Sequence, residues 1–205
     1  MYLSLTILTS YLIGCIPFSL FITKWLSNKN PGRDGSKNYG AMNSYEITGS
    51  KMIGILVLLL DALKGAFAIF VTYFFIIPEP FWVVLAALLV VFGHCYNVFL
   101  EFEGGRGLAT ALGCCLIFNP LIVIIWIAFW LILGLINRDI LFRNMGASLL
   151  APVMLFLIPN NIYYLMTYNY FLPISDYKIM ATLMCLIIFS AHFRNNDWLK
   201  KILKK

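Results

Sequence analysis

The sequence predicts an all-α integral membrane protein with seven transmembrane segments, and three observations carry that prediction. The chain is 61% hydrophobic and only 12% charged, with a mean hydropathy of +0.87, far from the composition of a water-soluble domain. Its apolar runs recur at lengths near the roughly 20 residues that one helical crossing needs. The stretches rich in Gly, Asn, His and Arg all fall on the same side once the crossings are counted. The formal charge is +6, and its basic residues cluster in those stretches, where they set membrane orientation and meet anionic headgroups. Nucleic acid is therefore not an implied partner.

Residues 2–26 form the first crossing, with Gly14 and Pro17 where the helix bends or packs closely and with Lys24 and Trp25 as an interfacial pair. A second apolar run follows, so the first reads as a retained helix and not as a cleaved signal peptide. Residues 27–50 are polar and hold Lys29, Arg33 and Lys37 against Asp34 and Glu46, a cytoplasmic signature that leaves the N-terminus outside. Residues 51–77 cross back, interrupted by Asp61 and Lys64. A lone charge at mid-membrane costs about 2.5–3.5 kcal/mol on insertion scales. These two lie three residues apart on one helix face, so they pair with each other or with a polar loop folded into the bundle. A packing ion pair and a direct role both stay open.

Pro78-Glu79-Pro80 makes an outer turn, and residues 81–100 return to the cytoplasm. Residues 108–118 are apolar but short, either a short crossing or a buried half-helix. Residues 121–136 are a separate crossing. Arg138 and Arg143 against Asp139 mark the next connection as cytoplasmic. Residues 145–158 lead outward, 159–176 form a tyrosine-rich outer connection, 177–191 make the last crossing, and 192–205 form a basic cytoplasmic tail. With no internal repeat and no soluble segment of its own, the chain reads as a single membrane-embedded domain, 1–205.

The polar stretches carry the chemistry. In Gly104-Gly105-Arg106-Gly107, three glycines around one arginine bend the backbone and turn N–H groups toward one point at the start of a helix. That is an anion seat, or else a tight interhelical loop with an interfacial arginine. The first loop, Gly35-Ser36-Lys37-Asn38-Tyr39-Gly40-Ala41-Met42-Asn43, supplies donors for phosphate or polyol oxygens, or is a Gly/Asn turn region. His94 and His192 each end a helix on the cytoplasmic side, as caps or as groups facing one cavity. The five cysteines have no paired spacing and read as packing residues. No metal or nucleotide motif is present, and no cofactor is implied. Together these stretches describe a phosphate-handling pocket at the inner membrane face, which a lipid substrate reaches sideways from the bilayer.

At these residues the chain resembles the bacterial membrane family of acyl-phosphate:glycerol-3-phosphate acyltransferases. The resemblance rests on Tyr11 to Phe18 in the first helix, the loop Gly35-Ser36…Asn38…Gly40-Ala41…Asn43, Leu60-Asp61…Lys64-Gly65, Gly93-His94…Val98-Phe99…Phe102…Gly104-Gly105-Arg106-Gly107…Ala109-Thr110, Asn119-Pro120, and His192…Asn195. It implies a seven-helix enzyme of the bacterial cytoplasmic membrane, with its site facing the cytoplasm. Such an enzyme moves a fatty acyl group from acyl phosphate to glycerol 3-phosphate, giving lysophosphatidate and phosphate for phospholipid synthesis. No metal and no acyl-enzyme intermediate are implied, and the partners are those two substrates and membrane lipids. A monomer suffices for that chemistry, and the oligomeric state is left open.

By the same resemblance the catalytic set is Ser36, Arg106, His192 and Asn195, and the substrate-binding set is Lys37, Asn38, Gly40, Asn43, Gly104, Gly105 and Gly107. The chain departs from the family pattern at several positions: Lys37 replaces glycine, Met42 threonine, Glu46 arginine, Asn97 proline, Arg106 lysine and Lys200 glutamate. The Glu46 change reverses the sign of a phosphate contact, and Lys37 is the candidate to restore it. Two alternatives follow: a catalytically weak or inactive relative that binds lipid or phosphate, and a small membrane transporter built around Asp61 and Lys64.

Overall fold

The computed structural model describes residues 1–167 and 172–194. Every regular element among them is helical: α1 (Tyr2–Gly14), α2 (Phe18–Ser27), α3 (Ala41–Thr48), α4 (Lys51–Val71), α5 (Pro80–Cys95), α6 (Leu108–Phe118), α7 (Leu121–Ile136), α8 (Ile140–Leu157), α9 (Asn160–Leu165) and α10 (Ile174–Arg194). A π-turn over Thr72–Ile76 extends α4, and a 3₁₀ turn, Val98–Leu100, follows α5. Among the described residues, five segments are long and apolar enough to cross a membrane: Tyr2–Ser27, Lys51–Ile76, Pro80–Leu100, Ile140–Leu157 and Ile174–Arg194. Helices α6 and α7, with 11 and 16 residues, are shorter than the roughly 20 that a crossing normal to the bilayer needs. Leu8, Phe67, Leu131 and Leu183 are exposed, as the lipid-facing side of such helices requires.

The chain divides into two compact units, Met1–Ile117 and Phe118–Lys205. In the first, α1 lies along α5 and α4 along α6, and glycines set the spacing. A methyl group added at Gly14 would strike the Val90 carbonyl, and one at Gly93 the Tyr11 carbonyl. Gly65 and Gly113 stand in the same relation to the carbonyls of Thr110 and Ala62. With lipid as apolar as leucine, close backbone approach is what holds such helices together. Val57, Val83, Ala86 and Val90 fill the interior. The hydroxyl of Ser44 on α3 meets those of Ser19 (2.9 Å) and Thr23 (3.2 Å) on α2.

In the second unit, α8 packs against both α7 and α10. Trp126 Nε1 donates to Ser148 Oγ at 3.0 Å, and Trp130 Nε1 to Asn144 Oδ1 at 2.8 Å. Asn119 is fully buried and uses its whole side chain. Nδ2 donates to Tyr163 O and Thr167 Oγ1, while Oδ1 accepts from the Leu121 amide.

The expected boundaries shift in four places. The first crossing is two helices and not one bent helix, because Pro17 has no N–H and cannot continue α1. The first polar loop contains α3, which ends at Gly49 in the left-handed region (φ 69°). Helix α8 starts at Ile140, ahead of the expected 145, because Asp139 caps it by accepting from the Leu141 and Phe142 amides. The tyrosine-rich connection includes the short α9.

The α4–α6 contact yields a test. Gly65→Val should lower stability by roughly 1–3 kcal/mol through overpacking against backbone, read as a fall in the thermal midpoint of protein purified in detergent.

Candidate active site

The site begins with the break in the first crossing. Ending α1 at Gly14 leaves the Cys15 and Ile16 carbonyls without helical partners. Asn97 Nδ2 donates to Cys15 O at 2.6 Å, and Lys64 Nζ donates to Ile16 O at 2.9 Å. Both side chains are buried, 2% and 4% exposed. Lys64 Nζ also lies 2.9 Å from Oδ1 of Asp61, one turn earlier on α4, and the same oxygen is 3.5 Å from His94 Nδ1. A buried ammonium, a buried carboxylate and a buried imidazole thus converge beside the helix break. The sequence left Asp61 and Lys64 to pair with each other or with a loop, and the structure gives the mutual pair.

The glycine turn rests on this cluster. The Gly104 amide donates to Cys95 O (3.1 Å) and the Gly105 amide to His94 O (3.0 Å), so both are spent closing the C-terminus of α5. Their value is close approach. A methyl at Gly104 would strike His94 O, and one at Gly105 would strike the His94 ring and sit 2.9 Å from Tyr39 O. The glycine turn and the first polar loop therefore abut at Gly105. Gly107 follows with φ 82°, a left-handed turn into α6, and Arg106 stands half-buried between them. It stands two residues ahead of Leu108, the first residue of α6, whose N-terminus is the positive end of the helix dipole. Tyr39, Asp61, Lys64, His94, Asn97 and Gly105 are among the residues lining a small, partly open recess.

The first polar loop is shaped by Asn43. Its Oδ1 accepts from the Ser36 amide (2.9 Å), and its Nδ2 donates to the carbonyls of Pro31 (2.9 Å) and Asn38 (2.8 Å), with a longer contact to Asp34 O (3.3 Å). Asn43 thus builds the loop from within. Ser36 and Lys37 stand exposed on it, and Lys37 has φ 55°, which accounts for a glycine at this position in the family the chain resembles. Gly40 precedes α3, and its carbonyl accepts from the Ser44 amide. Asn38 is buried, and its Nδ2 has no hydrogen-bond partner among the described residues. Burial, then the nearby Glu103 carboxylate, raise the Tyr39 hydroxyl above the ordinary tyrosine range despite the opposing pull of Arg33. Tyr39 is therefore a neutral donor at physiological pH.

In the second unit, His192 is fully buried. Its Nδ1 lies 2.8 Å from Ile188 O, which can only accept, so Nδ1 carries a proton. Its Nε2 is 3.0 Å from Asn144 Nδ2. Asn144 Oδ1 takes the Trp130 indole, and the Arg143 guanidinium lies 3.3 Å above the Trp130 ring centre. Asn195 lies outside the described residues.

Sequence reasoning passed over Tyr39, Trp130 and Asn144, and treated Asn97 only as a departure. The one signal for Asn97 was Pro17, since a broken helix in an apolar bundle needs side-chain donors. Among the described residues, no group of three His, Cys, Asp or Glu is disposed to hold a metal ion.

Comparison with known proteins follows the same contour. A family model described as glycerol-3-phosphate acyltransferase matches residues 4–205. A glycerol-3-phosphate acyltransferase of Bordetella pertussis is 40% identical over 152 residues, covering 73% of this chain and 70% of its own. One from Wolbachia pipientis subsp. Culex pipiens is 34% identical over 179 residues, covering 87% and 93%. The crystal structure of an integral membrane glycerol 3-phosphate acyltransferase, in its glycerol 3-phosphate form, superposes with a TM-score of 0.72 at 28% identity, covering 96% of this chain and 91% of that one. Its lysophosphatidic acid form gives 0.70 at 27%.

Replacing Asn97 tests the helix-break account. Asn97→Leu strands the Cys15 carbonyl and the Phe99 amide that Oδ1 accepts. It should cost about 1–3 kcal/mol for the buried Cys15 carbonyl left unsatisfied, measured as a lower thermal midpoint.

Proposed function

This chain belongs to the glycerol-3-phosphate acyltransferase family, and we propose that it carries a fatty acyl group from acyl phosphate to the first hydroxyl of glycerol 3-phosphate. The observation that carries this reading is the abutment at Gly105, where the turn bearing Arg106 meets the loop bearing Ser36 and Lys37. That abutment supports a site in which both segments meet phosphate, as a reaction between two phosphorylated substrates requires. The shared name of the relatives and solved structures supports an enzyme over an inactive relative or a transporter.

In the reaction, the glycerol hydroxyl oxygen bonds to the acyl carbonyl carbon, the bond from that carbon to the phosphate oxygen breaks, and phosphate leaves. The departing phosphate takes the hydroxyl proton. Arg106 and the first turn of α6 meet charge that develops on the phosphate and carbonyl oxygens, and positioning supplies much of the rate. Ser36 and Lys37 hold substrate phosphate from the exposed rim of the loop, with Asn38, Gly40, Asn43, Gly104, Gly105 and Gly107 shaping the backbone around it. His192 and Asn195 take the roles that the family resemblance gives them. We read the whole chain as one catalytic domain of seven crossings in the bacterial inner membrane, with its N-terminus outside, its C-terminus inside and its polar loops facing the cytoplasm. The five long spans among the described residues support a multi-pass membrane protein, the clustering of basic residues in those loops supports the orientation, and the count of seven takes α6 and α7 as two further, shorter crossings.

Purified protein in lipid, given palmitoyl phosphate and glycerol 3-phosphate, should release phosphate and form lysophosphatidate. Arg106→Ala should cut kcat by about 10²–10³-fold, the scale for losing one transition-state donor, with protein yield unchanged. No product from folded wild-type protein would overturn the reading. Lys37→Gly offers a cleaner probe of charge than alanine, because the backbone there already adopts a conformation that suits glycine. It should leave the thermal midpoint unchanged or higher while raising KM for glycerol 3-phosphate. An unchanged KM would remove Lys37 from the phosphate contact.

A further inference from the structure

We propose that His94 is a positioning residue for the arginine turn, held in place by the buried Asp61 carboxylate, so that Asp61 acts on catalysis through His94 and Gly105 without touching substrate. This rests on the acyltransferase reading for its activity arm alone. Two contacts tie His94 to the turn. Its carbonyl accepts the Gly105 amide at 3.0 Å, and its ring lies so close to the Gly105 α-carbon that no side chain fits between them. Gly105 immediately precedes Arg106, so the ring's position fixes where the arginine's backbone starts. On its other edge the ring turns Nδ1 toward Asp61 Oδ1 at 3.5 Å.

Asp61 is itself held. Lys64 Nζ sits 2.9 Å from the same oxygen and 2.9 Å from the Ile16 carbonyl, so the carboxylate cannot swing away without stranding a buried ammonium. All three side chains are at least 94% shielded: Asp61 is 1% exposed, Lys64 4% and His94 5%. A buried carboxylate in a membrane helix is costly to retain. A bare packing role would need only the Asp61–Lys64 pair. The third partner, reaching the glycine turn, is what points to a role in the reaction.

The test combines hydrogen-exchange mass spectrometry with steady-state kinetics on the full-length protein in lipid. Asp61→Asn keeps the side-chain shape but removes its charge, and His94→Ala removes the ring. Both should speed amide exchange by about tenfold in peptides covering residues 103–108, leaving α1 and the remainder of α4 and α5 protected. Both should also lower kcat by about a hundredfold, the scale for a displaced catalytic group. His94→Gln, which refills part of the space beside Gly105, should recover most of both.

Unchanged exchange at the turn in folded Asp61→Asn would overturn the proposal. So would exchange that rises uniformly through the first unit, or failure of His94→Gln to recover either readout. Should Asp61→Asn not fold, Gly105→Ala takes its place, because the added methyl must push the turn off the ring and give the same local exchange. The exchange arm needs no substrate. Local loosening of the turn in a protein whose wild type makes no product would sustain the positioning role and sink the acyltransferase reading instead.

Discussion

A helix interrupted inside an apolar bundle must find donors for the carbonyls that the interruption frees, and the polar architecture of the first unit follows from meeting that demand. Pro17 ends α1 at Gly14, and no water at that depth is guaranteed to serve Cys15 and Ile16. The Phe18 amide reaches Ile16 O at 3.1 Å, and the side-chain donors come from two other segments: Asn97 just past α5, and Lys64 on α4. Recruiting an ammonium brings a charge into the bundle, and Asp61 one turn away balances it. The carboxylate in turn faces His94, and His94 meets Gly105. A local backbone fault in the first crossing thus propagates, contact by contact, to the turn that carries Arg106.

The two polar loops of this unit solve the placing of donors differently. The turn over residues 96–107 is anchored from beneath, its Gly104 and Gly105 amides closing the end of α5. The loop before α3 is anchored from inside by one asparagine whose amide reaches three backbone carbonyls. In both, the groups with hydrogen-bonding capacity divide into those spent on structure and those left at the rim. Asn43 and the two glycine amides belong to the first kind, and Ser36 and Lys37 to the second. Residues that the sequence groups together as candidates for phosphate binding are therefore not equivalent in chemistry.

Much of this was legible in the sequence because it rests on local rules. Composition and run length give the helices, and Gly-Gly-Arg-Gly before an apolar run gives a turn into a helix. The spacing of Asp61 and Lys64 puts both on one helix face and leaves their mutual pairing as one of two alternatives. What local pattern does not carry is which helix comes next to which. The contact of His94 with Gly105, the reach of Asn97 to Cys15, and the Trp130–Asn144–His192 series all join residues from separate elements. The α8 boundary was missed for a different reason: Asp139 was read for its charge, whereas its carboxylate is engaged as a cap.

The placement of the buried titratable groups bears on where a proton goes in the proposed reaction. Asp61 is committed to Lys64 and faces His94, so abstracting a proton would dissolve the pair that holds the turn. His192 has both ring nitrogens within hydrogen-bonding distance of protein partners. With Nδ1 protonated by its approach to the Ile188 carbonyl, Nε2 faces an amide that donates, which describes a neutral imidazole already accepting. To serve as a base it would first have to give up Asn144. A phosphate leaving from the acyl donor, by contrast, gains basicity as its bond to carbon breaks and lies beside the attacking hydroxyl at that moment. Asp61 and His94 are therefore suited to holding the turn in register, and the proposed chemistry supplies its own acceptor.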